Sequence, residues 1–155
     1  MTPRDLERYL HDHIPLSGAM QVSVVSLEAE AVVLEAPLAP NINHRRTVFG
    51  GSASALATLA AWSLLHTRLR DAGRPCRVVI QRNTMEYEVP IQGAFSARAT
   101  LGPHEAWDRF LQVLDRKGKA RLTLASTLAS GGVEVGRFSG VFVALAAHPP
   151  GGSPA

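Results

Sequence analysis

The stretch from Ser52 to about Arg70 has no glycine and no proline, and consists largely of alanine, leucine, threonine, serine and tryptophan. That composition predicts a helix, and it places small or apolar side chains on nearly every face. A helix without a polar face has to be enclosed by protein on most sides. Asp71, Gly73 and Pro75 end it. At 155 residues the chain forms one domain, so the enclosing layer must come from the segments on either side of this helix.

Those segments read mainly as strands. Upstream, Leu6, Tyr9 and Leu10 suggest a short amphipathic helix ended by Pro15 and Gly18, and valine-rich Met20–Leu27 and Ala31–Leu38 suggest a strand pair stopped by Pro37 and Pro40. Downstream the period is two. Met85, Tyr87 and Val89 alternate with Thr84, Glu86 and Glu88, and Phe95, Ala97, Ala99 and Leu101 alternate with Ser96, Arg98 and Thr100. Arg109–Asp115, Lys119–Ala129 and Val133–Leu145 read as further strands, joined by turns at Arg116-Lys117-Gly118 and Ser130-Gly131-Gly132. The expectation is an α+β domain over residues 1–146, a curved antiparallel sheet wrapped around one long central helix, followed by a disordered tail at 147–155. A sheet that curls around one helix still exposes its other face or an edge, which predicts at least a homodimer.

Composition narrows the partners. Hydrophobic residues make up 46% and charged residues 19%, as in an ordinary globular protein. The net charge is +3, with arginines scattered from Arg4 to Arg137, and no aromatic-basic RNA motif or recognition-helix pattern accompanies them. Nucleic acid is therefore not expected; an acidic partner or a phosphate-bearing ligand suits the charge. Cys76 is the one cysteine, and His11, His13, His66 and His104 lack metal-ligand spacing, so no disulfide and no metal are expected. The N-terminus has no apolar signal core, and Ala53–Leu65 is shorter than the roughly 20 residues of a membrane span. The expected setting is cytoplasmic, without membrane insertion.

The candidate chemistry lies just ahead of the long helix, in the run NINHRRTVFGGS from Asn41 to Ser52. A helix N-terminus presents unpaired N–H groups and the positive end of the dipole, and Gly51 allows close approach to that backbone. Such a helix end suits an anion or a developing oxyanion set against the Gly51 N–H. The plainer alternatives are a tight Gly-Gly turn, Asx turns for Asn41 and Asn43, and capping or internal packing for Ser52 and Thr58.

The block APLAPNINHRRTVFGGSASALATLAAWSLL, with RVVIQRNTMEY, KGKARLTL and the closing GVFVAL, resembles the hotdog fold and more closely its YiiD C-terminal family of thioesterase-like proteins. The resemblance covers about Leu6 to Leu145. It implies a homodimer, in some cases a dimer of dimers, that binds acyl thioesters of coenzyme A or acyl carrier protein at the subunit boundary. No cofactor is implied beyond the coenzyme A or phosphopantetheine that carries the substrate.

Phenylacetate-type thioesterases of this fold carry a loop resembling Asn-x-x-Gly-x-x-His-Gly-Gly and a carboxylate on the following helix. Here Asn43 matches the asparagine and Gly50-Gly51 the glycines, whereas Arg46 stands at the first glycine, Phe49 at the histidine and Thr58 at the carboxylate. Neither phenylalanine nor threonine is a general base near neutral pH. Decarboxylation of a malonyl thioester needs no base, and the YiiD C-terminal family is also similar to malonyl-acyl carrier protein decarboxylases, which supply acetyl-acyl carrier protein for fatty-acid initiation. The resemblance thus implies Asn43 orienting the malonyl group and Gly51 N–H as oxyanion donor, with Asn41, Thr47 or Ser52 in support. Phe49, Gly50 and Thr58 would line the substrate site, and His44, Arg45 and Arg46 would meet a pantetheine phosphate or an acidic carrier protein at its entrance. Arg68, Arg70, Arg74 and Arg77 form a second candidate basic group. The alternatives are thioester hydrolysis, with water held by Asn43 and Thr58 or by a carboxylate across the dimer, where Glu86 or Glu88, read as solvated, would supply a base if either reached the neighbouring subunit's pocket, and a non-catalytic acyl-thioester binding module.

Overall fold

The structure, a computed structural model, describes residues 1–148; the expected disordered tail falls, from residue 149 on, outside the described residues. Helix α1 (Pro3–His13) opens with a capping box, in which the Thr2 hydroxyl accepts from the Asp5 N–H at 3.1 Å and the Asp5 carboxylate accepts from the Thr2 N–H at 2.9 Å. Leu6 and Leu10 are its buried face. Pro15 does not simply end this helix but starts a second, α2 (Pro15–Ala19), because a proline at the first helical position gives up no hydrogen bond.

Strands β1 (Ser23–Leu27) and β2 (Ala31–Ala36) pair antiparallel as expected. A single 3-10 turn (Ala39–Asn41) and the loop then lead to α3 (Gly50–Asp71), 22 residues long. The remaining strands are β3 (Cys76–Tyr87), β4 (Phe95–Thr100), β5 (Lys119–Ser130) and β6 (Val133–Ala146). All pairings are antiparallel, in the order β1-β2-β4-β5-β6-β3.

Helix α3 packs against five of the strands, β2 through β6, which is how a helix without a polar face is accommodated. Leu56, Ala57, Ala60, Ala61, Leu64 and Leu65 are fully buried. Thr58, Trp62 and His66, at four-residue spacing, form the half-buried stripe the sheet leaves uncovered. Helix α1 covers part of it: Tyr9 stacks on His66 at 4.9 Å and lies 6.2 Å from Trp62 between ring centroids. Trp62 Nε1 also donates to the Val78 carbonyl at 2.9 Å, tying α3 to β3.

One expected strand is a helix. Arg109–Asp115 lies inside α4 (His104–Lys117), whose buried residues are Trp107, Phe110 and Leu114. Their spacing of three and four puts all three on one helical face against the sheet, and a strand would have split them between faces. Gly118, expected in a hairpin turn, is the left-handed C-cap of this helix (φ 72°) and donates to the Leu114 carbonyl at 2.8 Å. Four strands therefore follow α3. Strand β3 is also longer than the expected Asn83–Val89, and Glu88 and Val89 lie just past its end.

Candidate active site

Gly50 and Gly51 are the first two residues of α3, not a turn ahead of it. Phe49 is the N-cap and contributes no side-chain capping bond, so no side-chain acceptor takes up the N–H groups of the helix end. The N–H groups of Ser52 and Ala53 turn back to the Phe49 carbonyl at 2.9 and 3.1 Å, whereas those of Gly50 and Gly51 lie where a helix has no internal acceptor. The Phe49 ring lies directly over Gly51, where a Cβ would overlap it. On the other side, the Tyr87 ring comes within 3.4 Å of where a Cβ on Gly50 would sit.

The loop that delivers the chain to this point is organised by its two asparagines. Asn43 makes an Asx turn: its Oδ1 accepts from the N–H groups of Arg45 at 2.8 Å and Thr47 at 3.1 Å. Its Nδ2 donates to Thr47 Oγ1 at 2.9 Å and, at the weak limit of 3.4 Å, to the Val48 carbonyl. Asn41 is buried; its Nδ2 donates to the carbonyls of Met20 (3.0 Å) and Pro37 (2.8 Å), and its own carbonyl accepts the Phe49 N–H at 2.7 Å. Asn41 thus anchors the helix N-cap to the start of the sheet, with its Oδ1 buried and without a partner.

A cavity of about 260 Å³ opens beside the helix end. Its lining includes Thr47 and Gly50 from the loop and helix, Met85, Tyr87 and Glu88 from the end of β3, and the buried Leu128 of β5. Of the expected site residues, Thr47 and Gly50 line this space and Phe49 and Gly51 adjoin it. Asn43 sits half-buried behind Thr47 and Val48. Ser52 is half-buried in the first turn of α3, and the Thr58 hydroxyl is turned inward, donating to the Ser54 carbonyl at 2.8 Å. His44, Arg45 and Arg46 are exposed at the loop tip, where Arg46 adopts a positive φ of 63°.

Met85 and Tyr87 are among the lining residues that the reading of the sequence did not place in the site, and Glu88, considered there only for the neighbouring subunit's pocket, lines the cavity of its own chain. The strand alternation marked Met85 and Tyr87 as one face, but not which element that face would meet. Glu86 is 63% exposed, as expected of a solvated side chain, while Glu88 is 32% exposed and reaches the cavity. Past the end of β3, the N–H groups of Glu88 and Val89 both donate to the Val135 carbonyl, so the regular alternation stops there. Arg137 Nε holds the Glu88 carboxylate at 2.7 Å and is itself held protonated, above the ordinary guanidinium range, chiefly by that bond.

The second basic group does not assemble as one cluster. Arg68 lies over the Trp107 ring at 5.0 Å and Arg74 makes a bidentate pair with Asp115, which leaves Arg70 and Arg77 exposed. Among the described residues no group of histidine, cysteine and carboxylate side chains has the arrangement of a metal site. No helix among them is long and apolar enough to cross a membrane.

A six-stranded antiparallel sheet around one long helix, with a glycine pair opening that helix beside an apolar cavity, defines the hotdog-fold class of thioester-processing proteins. Residues 3–146 match the family described as "Putative thioesterase (yiiD_Cterm)", and the chain belongs to that family. Among solved structures it is similar to a protein of unknown function from Chlorobaculum tepidum, at 28% identity and TM-score 0.88 over 93% of this chain and 96% of that one. It is also similar to a protein from Shewanella oneidensis described as a "putative thioesterase", at 26% identity and TM-score 0.83 over 92% and 96%. A Pseudomonas aeruginosa protein described as a "probable thioesterase" shares the fold at 24% identity and TM-score 0.79 over 93% and 96%.

Proposed function

We propose that the chain is a homodimeric malonyl-thioester decarboxylase, converting malonyl-acyl carrier protein or malonyl-coenzyme A to the acetyl thioester. One observation carries the reading: the α3 N-terminus offers free N–H groups beside a cavity to which the loop and helix contribute only backbone, hydroxyl and apolar groups. That set polarises a carbonyl without activating a water. The thioester oxygen would sit against the Gly51 N–H. The bond between C2 and the malonyl carboxyl carbon then breaks, its electron pair passes through the enolate to the thioester oxygen, CO2 leaves, and C2 takes a proton from solvent. The C–S bond stays intact.

In this reading Asn43 orients the malonyl carboxylate. Its 3.4 Å bond to Val48 is the weakest the side chain makes, so this N–H is the one exchanged for a ligand at least cost. A neutral amide holds the carboxylate without the ground-state stabilisation that a cation would add. The exposed His44, Arg45 and Arg46 would face the phosphate of pantetheine or an acidic carrier protein.

The test is a product balance on malonyl and acetyl thioesters of both carriers, measuring CO2, acetyl product and free thiol together. CO2 and acetyl thioester without thiol support decarboxylation. Asn43→Asp keeps the Oδ acceptor of the Asx turn and replaces the amide donor with a negative charge, so the thermal midpoint should hold while decarboxylation falls by about a hundredfold or more. An unchanged rate would remove Asn43 from the reaction.

Glu88 favours a second reading. Among the described residues it is the one carboxylate lining the cavity, and Arg137 Nε fixes its position at 2.7 Å, so it could serve as base for a hydrolytic water. Free thiol as the main product, lost in Glu88→Gln, would establish hydrolysis instead.

A further inference from the structure

One hydroxyl beside the α3 N-terminus takes no part in holding the loop or the sheet together. Tyr87 is the last residue of β3, and the backbone fixes its place from both sides. It pairs with Gly136 of β6, and just beyond it the N–H groups of Glu88 and Val89 both turn to the Val135 carbonyl, at 3.0 and 3.2 Å. Two residues earlier Met85 pairs with Phe138, which is buried in the core with α3, so Met85 and Tyr87 stand on the inner face of the sheet.

Gly136 has no side chain to stand beside the Tyr87 ring, and the ring leans toward the helix with its hydroxyl edge first. From where a Cβ on Gly50 would sit, its nearest atoms are Cε1 at 3.4 Å, Cζ at 3.7 Å and Oη at 3.9 Å. Among the described residues the hydroxyl has no hydrogen-bond partner, while the residue lines the cavity and is 59% exposed. The N–H groups of Gly50 and Gly51 are donors in the same condition at the same helix end. Donors do not satisfy one another; an acceptor that gains negative charge satisfies them together.

We propose that Tyr87 is a catalytic residue whose hydroxyl donates to the thioester oxygen alongside the Gly51 N–H. The oxyanion site then has two donors, one from the helix backbone and one from β3. A carbonyl oxygen has two lone pairs and takes both at once. Each bond strengthens as charge gathers on that oxygen, so the second donor acts more on the transition state than on the bound substrate. Tyr87 keeps its proton throughout, and C2 is still protonated by solvent. The Phe49 ring over Gly51 and the Tyr87 ring beside Gly50 flank the helix end and displace water from it, which strengthens both bonds.

The inference rests on a thioester lying at the α3 N-terminus, as in the function proposed above, and not on which of its bonds breaks. Its test therefore reads the carbonyl itself. Acetyl-coenzyme A and acetyl-acyl carrier protein, isotopically labelled at the thioester carbonyl, are bound to the intact protein and the carbonyl stretch is followed by infrared difference spectroscopy. In the wild type the band should lie at lower frequency than in buffer, because hydrogen bonds weaken the C=O bond. Tyr87→Phe keeps the ring and removes the hydroxyl. It should give back part of the shift and lower kcat about tenfold or more, with a much smaller change in KM and an unchanged thermal midpoint. A residue that only walls the cavity is indifferent to loss of its hydroxyl. Binding of neither thioester, a wild-type band that does not move, or a Tyr87→Phe band equal to that of the wild type would each overturn the proposal. Failure of the decarboxylation reading looks different: the band shifts and depends on Tyr87, but no CO2 is released.

Discussion

Arg46 stands where related loops carry a glycine, and it keeps the glycine conformation, with φ at 63°. A side chain there costs roughly 1 kcal/mol of strain, so the loop's shape is held by its hydrogen bonds and not by backbone freedom. Asn43 supplies most of them. Gly51 is the opposite case, because its lack of a side chain makes room for the Phe49 ring. In Gly51→Ala the obstacle is an exposed, rotatable ring, so folding stability should stay within about 1 kcal/mol of wild type. Thioester turnover should fall about tenfold or more, since the new methyl and the displaced ring crowd the approach to the N–H. Gly50→Ala meets Tyr87 only at ordinary contact distance and should retain more activity. Melting curves and turnover measured on both variants separate these outcomes.

At the scale of elements, α3 was legible because it is apolar all round, which no surface helix or single-faced strand is. α4 was not. Read from Arg109, its residues are too few for a helical repeat to emerge, and the signal depends on including Trp107, three positions before Phe110 and seven before Leu114. Gly118 fits a hairpin turn and a helix C-cap equally well, so it did not decide between them. The loop and helix half of the candidate site was legible for the same local reasons. The β3 half was not, since which strands neighbour each other depends on pairing between distant segments.

The contact between α1 and α3 carries a pH dependence. His66 stacks on Trp62 at 4.7 Å and on Tyr9, with its Nε2 buried and unpartnered. Burial, with smaller contributions from the charges of Arg70 and His13, pushes its pKa below the ordinary 6.5. The folded state resists a proton that the unfolded chain accepts, so this contribution to stability is complete above pH 6.5 and is lost as the pH falls through the folded value. The thermal midpoint should drop on acidification below pH 6.5, and less steeply in His66→Phe, which preserves the stack. Equal slopes in the two proteins would exclude His66 as the cause.

For the whole molecule, the sheet order puts the two ends of the fold to different uses. On the β1 edge the Val24 N–H donates to Glu7 of α1, while β3 is the long end strand and runs beside the cavity. Enclosure of α3 by five strands of the same chain accounts for a stable protomer. Along that edge β3 carries one irregularity, an extra residue at Gln81 in its pairing with β6.

That irregularity in β3 also bears on descent. Surface strands generally tolerate the gain or loss of a residue at a bulge, and a lineage can drift through such changes with its fold intact. Here the same small event would decide which side chains of the strand's second half face the cavity, so a single inserted codon can reline a site without touching the loop beside it.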